Sequence, residues 1–564
     1  MTLEHRDTPA PASGAALRPA ILAIAAVFAF IVLVQGISAP FQKDAEPQSA
    51  EWIQSIVRDG HWLIPHDAYG YTDRKPPLFY WLSALIADSS GGTVDEVRAR
   101  AVSVVAGTAL AVVALAWTVA NVGAPEGWLA FLLMLGTYGF ASRATEALTD
   151  MLLSFLLFAA YCAIYPLLDA PASPGSARRK IFVGAMLGLG ILTKGPVAIV
   201  LCALAVTIYL LIEGRNPLAM LRERWPWQVV AIAVAIGALW YVPATIVGGH
   251  KIVRIIFAEN FGHFMPARLG GTGESYRPFY YIALRLIGSA LPMTLLIPPA
   301  VLAFYTSEIA PEKRPAVIYQ VSMSLAVLLF FSIASVKRDD YILPALPGIA
   351  ILCGSVFNLN VRGAASKLRD VIVALFVLSP ILLFVFVLLV GVHAAHVNLQ
   401  SSDAAYNSIL RAKVREHAGG DIVKLIWLLG FATAILALVR RSAVASAAAF
   451  GLIAVSFSLL WTATLRPAVA EARTLKGFVP TIADRVKADQ LCIPSGINYE
   501  LSYYYGSAVP NLTNQKCAYL IATPRELDAM TPEYRARLKP IAKSNLIGGG
   551  GPPALFEISP EAAK

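Results

Sequence analysis

Ionisable residues beside long apolar stretches are the first candidates for chemistry, because a charge in lipid is costly and usually serves a function. Four basic residues lie at such places: Lys75, Lys194, Lys337 and Arg338. Lys337 and Arg338 have the alternative of reaching the interface from a helix end. Lys194 stands beside Gly and Pro in an apolar stretch, which a structural role explains less well. Together they predict a site for a lipid-linked phosphate, held by charge-assisted hydrogen bonds.

Three carboxylates occur in the same kind of position, namely Asp44, Glu46 and Asp150. A carboxylate beside a phosphate site has the chemistry to deprotonate an attacking hydroxyl group. Each also has a structural alternative. Asp150 would pair with Arg143 or cap a helix, whereas Asp44 and Glu46 would be solvated loop charges. We take all three as candidate catalytic residues.

The composition indicates that membrane helices position these residues. Of 564 residues, 57% are hydrophobic and 15% are charged, against roughly 25% charged residues in a typical soluble domain. The mean hydropathy is +0.62. The net charge of +10 comes largely from short loops between apolar stretches, which indicates topology and lipid headgroups as its cause and no nucleic-acid partner.

Thirteen spans are predicted from the lengths of the apolar runs. Eleven runs are uninterrupted: 17–37, 98–120, 124–142, 147–168, 227–248, 277–305, 316–335, 341–358, 370–393, 424–439 and 445–465. A twelfth run, 181–213, is too long for one helix and is interrupted at Lys194-Gly195-Pro196. It therefore predicts two short helices, because Gly and Pro break a helix there.

The direction of the spans follows from the distribution of basic residues. With a cytoplasmic N-terminus, nearly every predicted inner loop is basic, and the candidate residues above all fall on the outer side. An odd number of spans then places the C-terminus outside. We expect a disordered cytoplasmic tail over 1–16, a membrane domain over 17–465 and a small periplasmic α/β domain over 466–564.

The outer segments carry further patterns. Residues 46–58 predict an amphipathic helix on the membrane surface. Tyr499 to Tyr505 and Cys517 to Ala522 are candidate strands of the C-terminal domain. Cys492 and Cys517 would form a disulfide if that domain is extracytoplasmic. Residues 249–276, which contain Gly270-Gly271-Thr272-Gly273, predict a mobile loop that orders over a bound donor.

The order and spacing of several motifs resemble a known family, the bacterial polyprenyl-phosphate-sugar glycosyltransferases of GT-C fold, which are related to protein mannosyltransferases and to the lipid A aminoarabinose transferase. The motifs are Asp44 to Glu51, Gly60-His61-Trp62-Leu63-Ile64-Pro65, Lys75-Pro76-Pro77-Leu78-Phe79-Tyr80-Trp81, Thr149-Asp150-Met151, Leu192-Thr193-Lys194-Gly195-Pro196, Arg277-Pro278-Phe279-Tyr280-Tyr281 and Tyr341-Ile342-Leu343-Pro344.

The resemblance implies an inverting transfer of a sugar from polyprenyl phosphate to an acceptor outside the bacterial inner membrane. It implies that an acidic residue of the first outer loop acts near the acceptor, and that the lysines and Tyr341 hold the donor phosphate. The acceptor would be lipid A or lipopolysaccharide, another envelope glycan, or a protein. No nucleotide sugar is implied, and the sequence shows no Gly-rich phosphate loop.

Two motifs depart from the family pattern. Members commonly read Asp-Glu, then a basic residue two positions on. Here Ala45 stands at the Asp, Glu46 at the Glu and Gln48 at the basic position, with Asp44 one residue early. In the aminoarabinose branch an acidic residue before the Lys-Pro lysine helps to hold a metal. Here that residue is Arg74, so a divalent metal is not supported by the motif and no cofactor is predicted.

Two other classes of protein compete with the glycosyltransferase. A transporter or flippase places broken helices near the midplane and often has repeated halves. This sequence has one break, near the predicted outer face, and shows no repeat. A non-catalytic envelope scaffold would leave the clustered outer charges unexplained.

Overall fold

A computed structural model describes residues 17–41, 45–72, 75–261, 277–357, 363–394, 421–440, 442–513, 517–544 and 551–559. Helices dominate the first 473 residues. They are α1 (Pro19–Leu33), α2 (Ala45–Asp59), α3 (Leu78–Ser89), α4 (Glu96–Asn121), α5 (Ala124–Gly136), α6 (Tyr138–Ala144), α7 (Asp150–Ile164), α8 (Ser176–Lys194), α9 (Val197–Ile212), α10 (Pro217–Met220), α11 (Arg224–Phe261), α12 (Tyr281–Ser289), α13 (Ile297–Tyr305), α14 (Arg314–Ile333), α15 (Leu346–Ser355), α16 (Ala364–Ala394), α17 (Asp421–Arg440), α18 (Ala443–Leu459) and α19 (Arg466–Arg473).

The prediction of a mostly helical multi-pass membrane protein is confirmed. Within the described ranges, five helical segments are long and apolar enough to cross a membrane: Glu96–Asn121, Asp150–Leu167, Arg224–Asn260, Arg314–Ile333 and Ala443–Arg473. A sixth crossing results if a bent pair of helices counts as one span, and several shorter apolar helices accompany them. The count of thirteen spans stays a prediction.

The interrupted run 181–213 folds as predicted, into two helices that part at Lys194. Helix α8 ends at Lys194 and α9 begins at Val197. Gly195 between them has φ +81°, a left-handed conformation that glycine adopts without steric cost. The break therefore fixes Lys194 as the last residue of a helix, with its side chain at a helix end.

The run 277–305, predicted as one span, is a bent pair of helices. Helix α12 and the segment Met293–Tyr305 meet at an angle of 102°, so a single span here stays a prediction. Pro292 stands at this bend, where its missing N–H interrupts helical hydrogen bonding.

The loop predicted over 249–276 was wrong in its first part, because the chain is helical as far as Phe261, beyond a kink at Gly249. Residues 262–276, including the predicted Gly-rich loop, lie outside the described residues.

The helix predicted over 46–58 is present as α2, from Ala45 to Asp59. Its apolar face includes Ile53 and Ile56, which are buried in the same core as the membrane helices. Helix α2 also packs against α3, which follows the Lys75-Pro76-Pro77 motif. The segment between α1 and α4, here called the first outer segment after its predicted side, is thus fixed against the membrane helices by apolar packing.

Residues 491–558 contain a four-stranded sheet of β1 (Leu491–Cys492), β2 (Tyr519–Ala522), β3 (Leu538–Lys543) and β4 (Ala554–Ile558), in the order β1-β2-β4-β3. Strand β2 runs parallel to β1 and antiparallel to β4. The predicted disulfide is present, and Cys492 and Cys517 are joined.

The segment from Tyr499 to Tyr505 is a helix, α20, so the strand predicted there was wrong. Asn498 caps it, because its side chain accepts a hydrogen bond from the N–H of Leu501 at 2.9 Å. Gly506 ends it in a left-handed conformation. These two end signals define a short helix, and α20 packs against α2 of the first outer segment.

Candidate functional site

A cavity of about 550 Å³ opens where the first outer segment meets the ends of the membrane helices and the C-terminal segment, by which we mean the described residues from 466 onward. Four of the predicted phosphate-binding residues line it: Lys75, Lys194, Arg338 and Tyr341. Lys251 and the carboxylates Glu259 and Asp340 also line it. The cavity therefore holds four cations against two carboxylates, which favours an anionic ligand.

Lys194 is held in place by two groups. Its Nζ lies 2.5 Å from Oδ1 of Asp150, the first residue of α7. The same nitrogen lies 4.8 Å from the centre of the Tyr341 ring, a cation–π distance. Tyr341 is itself stacked on Phe331, with ring centres 4.4 Å apart. Asp150 and Tyr341 thus orient the lysine toward the cavity.

Arg338 and Lys337 are adjacent in the chain, but they occupy different surroundings. Arg338 lines the cavity, and its Nε donates to Oδ2 of Asp340 at 3.2 Å. Asp340 also lies 3.5 Å from the guanidinium of Arg143. Lys337 is buried and donates to the carbonyl of Arg277 at 3.1 Å. Lys337 is outside the cavity lining, so the structure does not bring it together with the other four.

Glu46 is fully buried in a network of ion pairs. The Nε and Nη2 atoms of Arg100 donate to its two carboxylate oxygens at 2.8 and 3.0 Å. The N–H of Ala147 donates to it at 2.9 Å, and Arg466 lies 3.8 Å away. Burial, the largest single effect, would raise the pKa of Glu46. The charge and hydrogen bonds of Arg100, the charge of Arg466 and the N–H of Ala147 together outweigh it and lower this pKa from 4.5 to about 2. These contacts join α2 to α4.

Asp44 lies outside the described residues. Its neighbour Ala45 begins α2 and lines the cavity, as does Gln48 one turn later. Gln48 donates to Oδ2 of Asp67 at 3.3 Å. The start of α2, where the resemblance implies an acidic residue, therefore borders the cavity, whereas Glu46 points to Arg100.

Several cavity residues were not among the sequence candidates, and they include Lys251, Glu259, Ile497 and Tyr499. Lys251 and Glu259 lie in the helical part of the segment that was expected to be a loop. An apolar spacing of Ile252, Ile255 and Ile256 predicts that helix, and all three pack in one cluster with Trp240. Ile497 and Tyr499 come from the C-terminal segment, and no local pattern in the sequence indicates that this segment lies beside the cavity.

Within the described ranges, no three His, Cys, Asp or Glu side chains are grouped closely enough to hold a metal ion. That no cofactor is needed stays a prediction, made from Arg74 at the place where the aminoarabinose branch has an acidic residue.

Comparisons with known proteins agree with the class of protein that the helices and the cavity suggest. A family model described as dolichyl-phosphate-mannose-protein mannosyltransferase matches residues 74–241. This range contains Lys75, Asp150 and Lys194. The resemblance to GT-C polyprenyl-phosphate-sugar glycosyltransferases, predicted from the motifs, is thus confirmed.

Individual relatives make the likeness more specific. The undecaprenyl phosphate-alpha-4-amino-4-deoxy-L-arabinose arabinosyl transferase of Serratia proteamaculans is 27% identical over 352 residues, which are 62% of this chain and 61% of that protein. The enzyme of the same name from Enterobacter sp. is 29% identical over 320 residues, 54% of each chain. These matches therefore span about three fifths or less of the relatives' length.

The crystal structure of ArnT from Cupriavidus metallidurans bound to undecaprenyl phosphate superposes with a TM-score of 0.71. The alignment covers 96% of this chain and 98% of that one, at 18% identity. The apo structure of the same protein also gives a TM-score of 0.71. This chain has the fold of ArnT.

Proposed function

We propose that this chain is an inverting glycosyltransferase that moves a sugar from a polyprenyl phosphate donor to an envelope acceptor outside the inner membrane. The cavity lined by Lys75, Lys194, Arg338 and Tyr341 is the observation that carries the proposal. It is built at the ends of apolar helices, where the phosphate of a polyprenyl lipid sits when its chain lies in the bilayer. Undecaprenyl phosphate is also the donor carrier in the names of the relatives.

The four basic side chains that line the cavity stabilise the phosphate that leaves; they are Lys75, Lys194, Lys251 and Arg338. When the acceptor oxygen attacks the anomeric carbon, the bond from that carbon to the phosphate oxygen breaks, and its electron pair stays on the phosphate. The polyprenyl monophosphate therefore gains negative charge in the transition state. Preorganised cations stabilise this charge without reorganisation during the reaction. Lys194, fixed by Asp150 and Tyr341, is the most strongly oriented of them.

A carboxylate takes the proton of the acceptor hydroxyl, which balances the reaction. Of the three candidates, Glu46 is the counter-ion of Arg100 and Asp150 that of Lys194. A carboxylate paired in this way is a weaker base. We therefore propose Asp44 as the proton acceptor, and Asp150 as a residue that positions Lys194. Lys337, which contacts backbone carbonyls, serves to position Arg338.

The proposed topology has thirteen spans, a cytoplasmic N-terminus and a C-terminal domain in the periplasm. Two observations support the placement of the C-terminal domain. The Cys492–Cys517 disulfide is of a kind that persists in oxidising compartments. The C-terminal segment also contributes Ile497 and Tyr499 to the cavity, so it lies on the same side as the donor site.

We propose lipid A as the acceptor and 4-amino-4-deoxy-L-arabinose as the first sugar to test, because the relatives are named for transfer of this sugar. A protein acceptor is the second candidate. It is favoured by the family model over 74–241, whose description names a protein mannosyltransferase.

Purified protein in nanodiscs tests the proposal when it is given the undecaprenyl phosphate-linked sugar and lipid A, with product mass as the measurement. The variants are Asp44→Asn, Glu46→Gln, Asp150→Asn and Lys194→Ala, with Lys539→Ala on exposed β3 as the matched control. We expect transfer by the wild type and by the control, and loss with Asp44→Asn and Lys194→Ala. A folded wild type that transfers no sugar from any polyprenyl phosphate to lipid A or to protein would contradict the proposal.

A further inference from the structure

The C-terminal segment forms one wall of the donor cavity through Ile497 and Tyr499. Tyr499 packs edge-on against Tyr69, with ring centres 5.9 Å apart. Ile497 has 38% of its side chain exposed, although it is apolar. An exposed apolar residue on a cavity wall is a candidate contact for a ligand.

A second cavity, of about 280 Å³, lies on the other side of the same loop. Ile497 lines both cavities. The second cavity is formed within the C-terminal segment, and its polar lining comprises Arg473, Ser495, Asn498, Glu500, Thr523 and Glu526. A ligand that crosses Ile497 would therefore contact both cavities at once.

The two cavities differ in charge. The donor cavity has four cations and two carboxylates, whereas the second has Arg473 against Glu500 and Glu526. Carboxylates, amides and hydroxyls accept hydrogen bonds from hydroxyl and amide groups. The second cavity thus suits the hydroxyl- and amide-bearing rings of a glycan, whereas the first suits a phosphate.

The loop between the cavities, residues 495–498, is fixed rather than free to adapt. The side chain of Asn511 donates to the carbonyl of Gly496 at 3.1 Å, and Asn498 caps α20. The Cys492–Cys517 disulfide closes the segment that carries the loop. A preorganised wall loses little entropy when a ligand binds.

Several hydrogen bonds also attach the segment to the first outer segment, and two of them involve α2 and the chain that follows it. The hydroxyl of Ser502 donates to Glu51 of α2, and the hydroxyl of Tyr69 donates to the carbonyl of Val509 at 3.0 Å. The second cavity is therefore held at a constant position relative to the cations of the donor cavity. This arrangement lets one acceptor reach both.

We propose that the cavity beside loop 495–498 binds the glycan of the acceptor, and that Ile497 separates this acceptor subsite from the donor. The inference rests on the proposed function and adds the place and chemistry of acceptor binding. An acceptor hydroxyl that projects past Ile497 would reach the sugar on the donor phosphate. The C-terminal segment thereby selects the acceptor by the shape and hydrogen bonding of its sugar rings.

Binding of two probes, lipid A and undecaprenyl phosphate, to the full chain in nanodiscs tests the inference without need for turnover. Ser495→Trp fills the second cavity only, and Ile497→Trp blocks the passage between the two. Ile541→Trp is the matched control, because Ile541 is 42% exposed on β3 and lines neither cavity. We expect Ser495→Trp and Ile497→Trp to weaken lipid A binding about tenfold or more by excluding the glycan. Ser495→Trp should leave undecaprenyl phosphate affinity within about twofold, since its phosphate contacts are untouched.

The inference is overturned if Ser495→Trp and Ile497→Trp keep the lipid A affinity of Ile541→Trp. It is also overturned if Ser495→Trp weakens both probes equally, or if the wild type does not bind lipid A. A different result would contradict the proposed function: the wild type would not bind undecaprenyl phosphate and would transfer no sugar. Ser495 is exposed and the second variant alters a different residue, so a folding defect in one leaves the other informative.

Discussion

The pair of Lys194 and Asp150 meets two requirements of a phosphate site in a membrane protein. A lysine at a helix end beside lipid needs a counter-charge, and a lysine that binds phosphate has to keep part of its charge available. Asp150 supplies the first from 2.5 Å. The Tyr341 ring, which lines the cavity, faces the same ammonium group and weakens its positive charge much less than a second carboxylate would.

If Asp150 acts only through Lys194, the effects of Lys194→Ala and Asp150→Asn on the free energy of activation should not be additive. We expect Lys194→Ala to lower kcat/KM about 10²- to 10³-fold, the usual cost of losing one charge-stabilising group. Asp150→Asn should lower it less, and the double variant should match Lys194→Ala alone. Steady-state transfer kinetics measure all three.

Glu126→Gln is the matched control for this cycle. It breaks a Lys313–Glu126 pair at 2.9 Å, and neither residue lines the donor cavity. Its kcat/KM should stay close to that of the wild type. If the effects of Lys194→Ala and Asp150→Asn instead multiply in the double variant, Asp150 acts independently of Lys194 and is itself a candidate base.

Glu46 is expected to be important for stability rather than for proton transfer. Glu46→Gln leaves Arg100 buried beside a neutral side chain, and breaking a buried pair costs about 3–5 kcal/mol. We therefore expect a lower melting temperature in detergent. The pair stabilises the wild type above pH 4.5, and this contribution is lost as the pH falls toward the folded-state pKa of about 2.

Arg100→Lys should lower the melting temperature as well, because lysine cannot reproduce the two parallel hydrogen bonds. A Glu46→Gln protein that melts like the wild type but transfers no sugar would show that Glu46 is the base, and would replace Asp44 in the proposal.

At the scale of elements, the sequence predicts those features that depend on local chemistry. The break at Lys194-Gly195-Pro196 was predictable because Gly and Pro end helices wherever they occur in an apolar run. Helix α2 was predictable from the spacing of Ile53, Ile56 and their neighbours. Lys75, Lys194 and Arg338 were predicted from charges beside apolar stretches, and Tyr341 from the family resemblance; all four line one cavity.

Features that depend on distant partners could not be predicted in this way. Glu46 resembled a loop carboxylate because Arg100 is 54 positions away. Tyr499 to Tyr505 was mistaken for a strand although its end signals Asn498 and Gly506 are local; only its packing against α2 depends on a distant partner. Lys251 was missed although the spacing of the isoleucines after it indicates a helix, because that helix begins beyond a kink at Gly249.

The contact between α2 and α20 is predicted to depend on pH through Glu51. Burial raises the pKa of Glu51 from 4.5 to about 7, although bonds from Ser502 and Ala68 lower it in part. Because the folded-state pKa is raised, protonation of Glu51 favours the docked state. This contribution is full below pH 4.5 and is lost as the pH rises through 7. Its size is about 3 kcal/mol, from 1.36 kcal/mol for each pKa unit.

Hydrogen exchange of α20 at pH 5.5 and pH 8, corrected for the intrinsic exchange rate, measures this effect. We expect more protection at the lower pH in the wild type, and no such difference in Glu51→Gln, which is neutral at both. Glu533→Gln, at an exposed position, should behave like the wild type. Equal protection of the wild type at both pH values would contradict the prediction.

At the scale of the whole molecule, the donor cavity is assembled from three parts of the chain. Membrane helices contribute Lys194, the first outer segment contributes Lys75, and the C-terminal segment contributes Tyr499. The fold shared with ArnT covers 96% of this chain. We propose as the central claim that the cation-lined cavity holds the phosphate of a polyprenyl lipid.

The affinity for undecaprenyl phosphate, measured in nanodiscs at two salt concentrations, tests this claim most directly, because it requires neither the donor sugar nor the acceptor. We expect Lys75→Ala and Lys194→Ala to weaken binding about tenfold or more, as loss of a charge-assisted phosphate contact does. Lys539→Ala should bind like the wild type, and higher salt should weaken wild-type binding. Unchanged affinity in both cavity variants, with the proteins folded, would contradict the claim and place the lipid phosphate elsewhere.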